Sequence, residues 1–232
     1  MRIWPLLLAL LSTPLHAQEV DLELVLLADA SGSIDQAEID LQRQGYAAAI
    51  THPDVLYAIS STLTGSIAVT YVEWAANQAV VADWAIIATP EDAEAFAAAL
   101  LGPPRLASGR NAIGAALLEG KRLIEANEIT GLRRVIDFSG DSANNWSGPS
   151  IEEARDEVLA AGITINALPL IRDPADGWES PLVQIYEERI IGGPGAFLVA
   201  ADTGARFTEA VRRKLILEIA GMLPETVPTS AP

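Results

Sequence analysis

The sequence contains no cysteine, which excludes disulfide bonds, thiolate zinc sites, iron–sulfur clusters and cysteine nucleophiles. Positive charge is also scarce, because 15 Lys and Arg stand against 31 Asp and Glu, for a net charge of −16. A nucleic-acid-binding surface needs clustered positive charge, so this balance speaks against DNA or RNA as a partner. The two short basic runs, Arg133-Arg134 and Arg212–Lys214, are expected to be surface charges.

Long hydrophobic runs are missing as well. Residues 1–17 carry a positive charge at Arg2, a short apolar run and a small residue, Ala17, at their end. This is the layout of a secretory signal peptide, and its apolar run is too short to span a bilayer. No later segment has 18 uninterrupted apolar residues. We therefore expect an exported protein, periplasmic or extracellular, with no transmembrane anchor after signal removal.

The rest of the chain has the composition of a protein with a substantial core. Over all 232 residues, half are apolar and a fifth are charged. A length of 232 residues without an internal repeat or a Gly/Ser linker favours one domain, which we expect at residues 18–223. Residues 224–232 are expected to form a disordered tail.

Apolar runs with strand character alternate with helical patterns. Strands are predicted at 22–28, 67–74, 134–139 and 163–168, with a short edge strand at 80–84 and a weaker strand at 196–200. Apolar residues at helical spacing predict helices over 93–100, 113–124 and 207–219. This alternation predicts an α/β fold with an open, mostly parallel, doubly wound sheet and helices on both faces.

Polar residues follow two of these strands and open one of the helices. Asp29, Ser31 and Ser33 come after the first strand, Asp141 comes after the strand at 134–139, and Asn111 precedes the helix at 113–124. Ligands of open α/β sheets bind at the carboxyl ends of the strands, so these side chains should meet there. An oxygen-only set of ligands suits Mg²⁺, Mn²⁺ or Ca²⁺.

The pattern of Asp29, Ser31 and Ser33 resembles the metal-ion-dependent adhesion site of von Willebrand factor A domains. The segment 109–118 is similar to the second loop of that family, and Phe138-Ser139-Gly140-Asp141 to its third loop. The stretches DFSGDSANN, IIGGPGAF and RRKLILEIA resemble a family of exported bacterial von Willebrand A-like proteins of unknown function.

The resemblance implies a site that binds partners and does not cleave them. Ser31 and Ser33 would bind the cation, with Mg²⁺ as the expected ion, through their hydroxyls. Asp29 and Asp141 would hold it largely through waters or through hydrogen bonds to its ligands. Asn111 stands where the family usually has threonine, which leaves a retuned or a weakened site. An Asp or Glu of a protein partner would replace one water on the cation.

Simpler roles remain open for several of these residues. Ser33 fits an S-x-x-Q capping box with Gln36, and Asn111 fits the N-cap of its helix. Asp29 and Asp141 could merely close their loops. Asn144 and Trp146 follow Asp141 and are candidates for partner contact, although tryptophan more often packs inside a protein.

Two other functions compete with metal-bridged binding. A metal-dependent hydrolase of phosphoesters or esters is the runner-up, although Arg110 is the one cation expected near the site. Gly140-Asp141-Ser142 resembles a nucleophile block, but a Ser–His–acid arrangement would need His52, the only histidine after residue 17. A metal-free interaction scaffold is the third possibility.

Overall fold

The structure is a computed structural model that describes residues 18–172, 180–202, 204 and 206–224. The expected signal peptide, residues 1–17, lies outside these residues, as do residues 225–232 of the expected tail.

A six-stranded sheet forms the centre of the fold. Its strands are β1 (Gln18–Asp29), β2 (Ile67–Trp74), β3 (Gln78–Ile87), β4 (Ile129–Gly140), β5 (Thr164–Ile171) and β6 (Ala201–Asp202). They lie in the order β3-β2-β1-β4-β5-β6. Only the β2–β3 pairing is antiparallel among them. The prediction of a mostly parallel sheet is therefore confirmed.

Seven helices cover the two faces of this sheet. They are α1 (Gln36–Ile50), α2 (Pro53–Ser60), α3 (Pro90–Leu101), α4 (Ile113–Ala126), α5 (Ile151–Ala160), α6 (Pro181–Arg189) and α7 (Phe207–Ala220). Helices α1, α2, α3 and α7 bury their apolar residues on one face, and α4, α5 and α6 on the other. The three helices predicted from apolar spacing are α3, α4 and α7.

Strand β1 runs through the centre with both faces covered. Leu24 and Leu26 point into the core beneath α1 and α7, whereas Val25 and Leu27 point into the core beneath α4. Its nearly continuous apolar sequence is thus explained by burial on both sides.

One predicted strand differs from the structure. In place of a strand at 196–200, the structure has a single bridge between Leu198 and Ala167, followed by the two-residue strand β6. The turn Gly192-Gly193-Pro194-Gly195 has two glycines with positive φ and brings Gly192 back to pair with Ile165.

The expectation that both basic runs are surface charges is wrong for Lys214, and Arg133 is partly buried. The side chain of Lys214 is 1% exposed, and its Nζ lies 2.6 Å from Asp137 and 2.5 Å from Glu218. Arg133 donates to the backbone carbonyls of Glu218 and Ile219 at 2.6 Å each. Arg133 therefore binds carbonyls of the last turn of α7, where the intrahelical hydrogen bonds of the helix run out.

The strand order reverses between β1 and β4, because the chain builds outward from β1 on one side and from β4 on the other. The crevice at the carboxyl ends of such a strand pair is the usual ligand site of an open α/β sheet. Asp29 ends β1 and Asp141 directly follows β4 at this edge. The start of β1 and the end of α7, which Arg133 contacts, lie at the opposite edge.

Within the part of the chain that the structure describes, no helix has the length and apolar character needed to cross a bilayer.

Candidate functional site

The first loop of the site follows β1 and is held from inside the protein. The side chain of Asp29 is buried, and its Oδ1 accepts a hydrogen bond of 2.7 Å from the backbone N–H of Ser31. Gln42 of α1 donates to the Asp29 carbonyl at 2.9 Å. The hydroxyls of Ser31 and Ser33 lie 3.2 Å apart, with Ser31 buried and Ser33 exposed.

The third loop brings Asp141 against the first. The Ser33 hydroxyl donates to Asp141 Oδ1 at 3.0 Å, and the Asp141 N–H points at Asp29 Oδ2 over 3.4 Å. The side chain of Asp141 is 3% exposed. The structure therefore brings together four of the five predicted metal-site residues through contacts of their side chains: Asp29, Ser31, Ser33 and Asp141.

The second loop reaches the site through its backbone. Gly32 donates to the Gly109 carbonyl at 2.8 Å, and the Asn111 carbonyl accepts from the Trp146 N–H at 2.9 Å. Asn111 is buried, but neither of these backbone contacts orients its amide. The alternative that Asn111 caps α4 is wrong, because the N-cap is Ala112, which provides no side-chain hydrogen bond.

The capping box proposed for Ser33 is also wrong. The N-cap of α1 is Asp35, whose side chain accepts from the Glu38 N–H at 2.9 Å, while Glu38 accepts from the Asp35 N–H at 2.9 Å. This reciprocal arrangement satisfies the first backbone amides of α1, and it lies two residues further along the chain than the box predicted at Ser33. The Ser33 hydroxyl is consequently directed to Asp141.

A glycine allows the two acidic loops to pack closely. A Cβ on Gly140 would come within 3.0 Å of Asp29 Oδ2, 2.9 Å of the Tyr186 hydroxyl and 2.8 Å of the Trp74 ring. Trp74 donates to the Ser139 carbonyl at 3.0 Å, and Tyr186 to the Ser142 carbonyl at 3.1 Å. These aromatic side chains form the floor under the site.

Burial changes the acidity of the central carboxyl. It raises the pKa of Asp29 to about 7, and the nearby charge of Asp141 acts in the same direction. A cation placed between the two carboxyls would favour the ionised form of Asp29. Bound positive charge would therefore stabilise the two carboxylates of the site.

Two arginines at the site were missed by sequence reasoning, which counted Arg110 as the one nearby cation. Arg172 directly follows β5 and donates to Asp141 at 2.8 Å, to Glu38 at 2.8 Å and to the Ser33 carbonyl at 2.7 Å. Its position at the carboxyl end of a strand was a usable signal. Arg105 donates to the carbonyls of Ala30, Ser31 and Ile34, and no local pattern predicts this.

The rim of the site carries the predicted contact residues. Trp146 is 61% exposed, so it does not pack inside, and the Arg110 guanidinium lies 5.0 Å from the centre of its ring. Asn144 is exposed and donates through its backbone to the Ser142 hydroxyl at 3.1 Å.

The donor spacing fits a small hard cation. With Mg–O distances of about 2.0–2.1 Å, neighbouring ligands of an octahedron lie about 2.9 Å apart. The Ser31–Ser33 and Ser33–Asp141 oxygen distances are 3.2 and 3.0 Å. Among the residues that the structure describes, no group of three or more His, Asp or Glu could hold a metal ion. Any cation here would depend on hydroxyl ligands.

Among the residues that the structure describes, no histidine completes a serine hydrolase arrangement with Ser142. His52 caps α2 just beyond the end of α1, where its ring accepts from the Asp54 N–H. Helix α1 begins beside the site and is 15 residues long, or about 22 Å at 1.5 Å per residue. His52 therefore lies too far from Ser142 to share a proton with it.

Comparison with models of protein families identifies the family of the chain. A family model described as "Protein of unknown function (DUF1194)" matches residues 19–223. The chain belongs to this family. No curated protein matches the DUF1194 chain.

Solved structures identify the fold of this DUF1194 member as that of von Willebrand factor A domains. Proximal thread matrix protein 1 from the mussel byssus has a TM-score of 0.60 and 14% identity over 88% of this chain and 48% of its own. The pilus adhesin SpaC from Lactobacillus rhamnosus GG has a TM-score of 0.57 and 15% identity over 87% and 30%. The vWF domain of the pilus tip protein Mfa5 from Porphyromonas gingivalis has a TM-score of 0.57 and 10% identity, over 90% of this chain and 98% of its own.

The chain spans about half or less of the length of the first two of these structures. Another structure of the mussel protein, with a TM-score of 0.58 and 13% identity, is described as having a zinc-occupied MIDAS motif. At these identities the similarity shows the fold.

Proposed function

We propose that this domain is an exported binding protein that uses a divalent cation to bind an Asp or Glu side chain of a protein partner. Asp29, Ser31, Ser33 and Asp141 would hold the cation. The observation that carries the proposal is the convergence of these four side chains at the strand-order reversal, with Ser33 exposed to solvent.

The chemistry of the donors supports a cation with an open position. Two neutral hydroxyls contribute no negative charge, so a bound cation would remain attractive to a carboxylate from outside. Mg²⁺ fits the donor spacing, and Mn²⁺ or Ca²⁺ would accept the same oxygens. The zinc-occupied motif of the mussel protein supports a divalent cation in this fold. Asn111 is proposed as a further ligand through its amide oxygen.

The exposed rim supports a protein partner. Trp146 offers a large apolar surface beside the site, and Asn144 offers hydrogen-bonding groups. Exposed aromatic residues are common anchors of protein interfaces. Pilus and adhesin proteins among the structures of the same fold are consistent with a role outside the cytoplasm, in the periplasm or beyond it.

The central test is cation binding by the purified domain. At saturating Mg²⁺ or Mn²⁺ the melting temperature should rise by about 5 °C relative to EDTA, since a ligand at 100 times its Kd adds about 2.7 kcal/mol to stability. The double variant Ser31→Ala/Ser33→Ala should lose this rise. Ser60→Ala, which removes an exposed hydroxyl of α2, should keep it.

A wild-type melting temperature that responds to neither ion would refute the cation site. The partner is then tested by capture from the native secretome with and without chelator. Capture that survives EDTA and the serine double variant would favour the metal-free scaffold. Turnover of a phosphoester or ester panel, abolished by Asp29→Ala, would favour the hydrolase.

A further inference from the structure

Arg172 holds the acidic side of the site together. Its Nε and Nη2 both lie close to Asp141 Oδ2, at 2.8 and 2.7 Å, while Nη1 donates to Glu38 Oε1 at 2.8 Å. Nη2 also donates to the Ser33 carbonyl at 2.7 Å. One guanidinium therefore ties the end of β5 to α1, to the first loop and to the third loop.

Both side-chain oxygens of Asp141 accept hydrogen bonds. Oδ1 accepts from the Ser33 hydroxyl and Oδ2 from Arg172, with the carboxylate 3% exposed. A nearly buried carboxylate is unstable without a compensating charge, because burial removes its hydration. Asp29 lies beside it and adds to this need. Arg172 supplies the positive charge that a bound cation would otherwise supply.

We propose that Arg172 is an internal competitor of the divalent cation. Its guanidinium holds Asp141 and Ser33 in the cation-free protein, and it must leave Asp141 when a cation binds. This inference rests on the proposed function. A cation and a guanidinium at the same carboxylate would repel each other at short range, so their occupancies are linked and oppose each other.

The surroundings of Arg172 allow such an exchange. Its side chain is 46% exposed, so it can move outward into solvent. Glu38 remains as a partner after the contact with Asp141 is lost, and it stays in place because its other hydrogen bond closes the first turn of α1. The guanidinium is therefore never left without a counter-charge.

The test compares Mn²⁺ affinity in the wild type, Arg172→Gln and Arg172→Lys by isothermal titration calorimetry. Arg172→Gln should bind Mn²⁺ about fivefold or more tightly than the wild type, in the range of ordinary site coupling. It should also melt at a lower temperature in EDTA, because Asp141 loses its partner. Arg172→Lys keeps the charge without the planar fork and should fall between the two.

Arg189→Gln is the matched control. Arg189 forms an exposed ion pair of 2.6 Å with Glu152 and contacts none of the proposed cation ligands, so its loss should leave Mn²⁺ affinity unchanged. In the wild type, the ¹⁵Nε–H signal of Arg172, assigned by its disappearance in Arg172→Lys, should shift on addition of Mg²⁺. This second measurement does not depend on the folding of a variant.

The outcomes separate this inference from the proposed function. If the wild type and Arg172→Gln bind Mn²⁺ equally, or the variant binds it more weakly, the competition is refuted while the cation site stands. If only Arg172→Gln binds Mn²⁺, the competition is supported in its strongest form. If none of the proteins binds Mn²⁺ and Mg²⁺ leaves the Arg172 signal unmoved, both proposals fail.

Discussion

At the scale of single residues, the site depends on groups that its motif does not include. Gly140 precedes the acidic residue of the third loop and has no side chain to offer, yet its missing Cβ is what lets Asp29 and Asp141 approach each other. The sequence shows the two aspartates and the two serines directly. It does not show which small residue makes room for them, because the contact joins segments more than 100 residues apart.

Substitution of Gly140 by alanine should therefore damage the site and the fold together. The added methyl group meets Asp29, Tyr186 and Trp74 at 3.0 Å or less, and overpacking of this kind costs about 1–3 kcal/mol. We expect a lower urea midpoint and weaker Mn²⁺ binding. Gly102→Ala is the control, since its nearest neighbour would be 3.8 Å away. Equal midpoints for the two variants would contradict this explanation.

At the scale of elements, the start of α1 shows how a capping box can be predicted two residues too early in the sequence. Ser33-x-x-Gln36 and Asp35-x-x-Glu38 both satisfy the capping pattern, and the sequence alone does not choose between them. The structure uses Asp35 for the helix and leaves Ser33 to the site. Helix formation and the candidate cation site thus rely on different side chains of one short loop.

These two roles can be separated experimentally. Asp35→Ala should lower the free energy of unfolding by about 1 kcal/mol, because the first turn of α1 loses its cap, with little change in Mn²⁺ affinity. Ser33→Ala should have the reverse pattern, with weaker Mn²⁺ binding and a smaller loss of stability. Chemical denaturation and calorimetry on both variants measure the two quantities. A stability loss in Ser33→Ala equal to that in Asp35→Ala would restore Ser33 as the cap.

At the scale of the whole molecule, the positions of β1 to β5, the mostly parallel sheet and the meeting of two acidic loops were predictable from the sequence. Buried strands are apolar throughout, and this leaves a clear local pattern. The burial of Lys214 was not predictable, since the basic run 212–214 looks like a solvated helix surface. Its partner Glu218 lies one turn further along the same helix, but its partner Asp137 on β4 comes from a distant part of the chain, as does Arg172 at the site.

The buried group of Lys214, Asp137 and Glu218 gives the whole fold a pH dependence. Burial, with the neighbouring Glu218 charge, raises the pKa of Asp137 from 3.8 to about 7. Between these values the folded state keeps a proton that the unfolded state has lost, so stability falls as the pH rises from about 4 to 7.

Asp137→Asn removes this titration while preserving the shape of the side chain. The loss of unfolding free energy between pH 5 and pH 8, measured in urea, should be smaller in Asp137→Asn than in the wild type. Asp29 also has a raised pKa, but it is present in both proteins and cancels in the comparison. Identical pH profiles would show that Asp137 is ionised in the folded protein throughout this range.

The first residues of β1 and the last residues of α7 lie at the edge of the sheet opposite Asp29 and Asp141. An affinity tag or a biosensor surface linked near residue 18 or residue 224 would consequently orient the candidate site toward the analyte. A domain immobilised in this way can be screened against acidic peptides and against native secretions in one format. Chelator in the running buffer then shows whether binding depends on a cation.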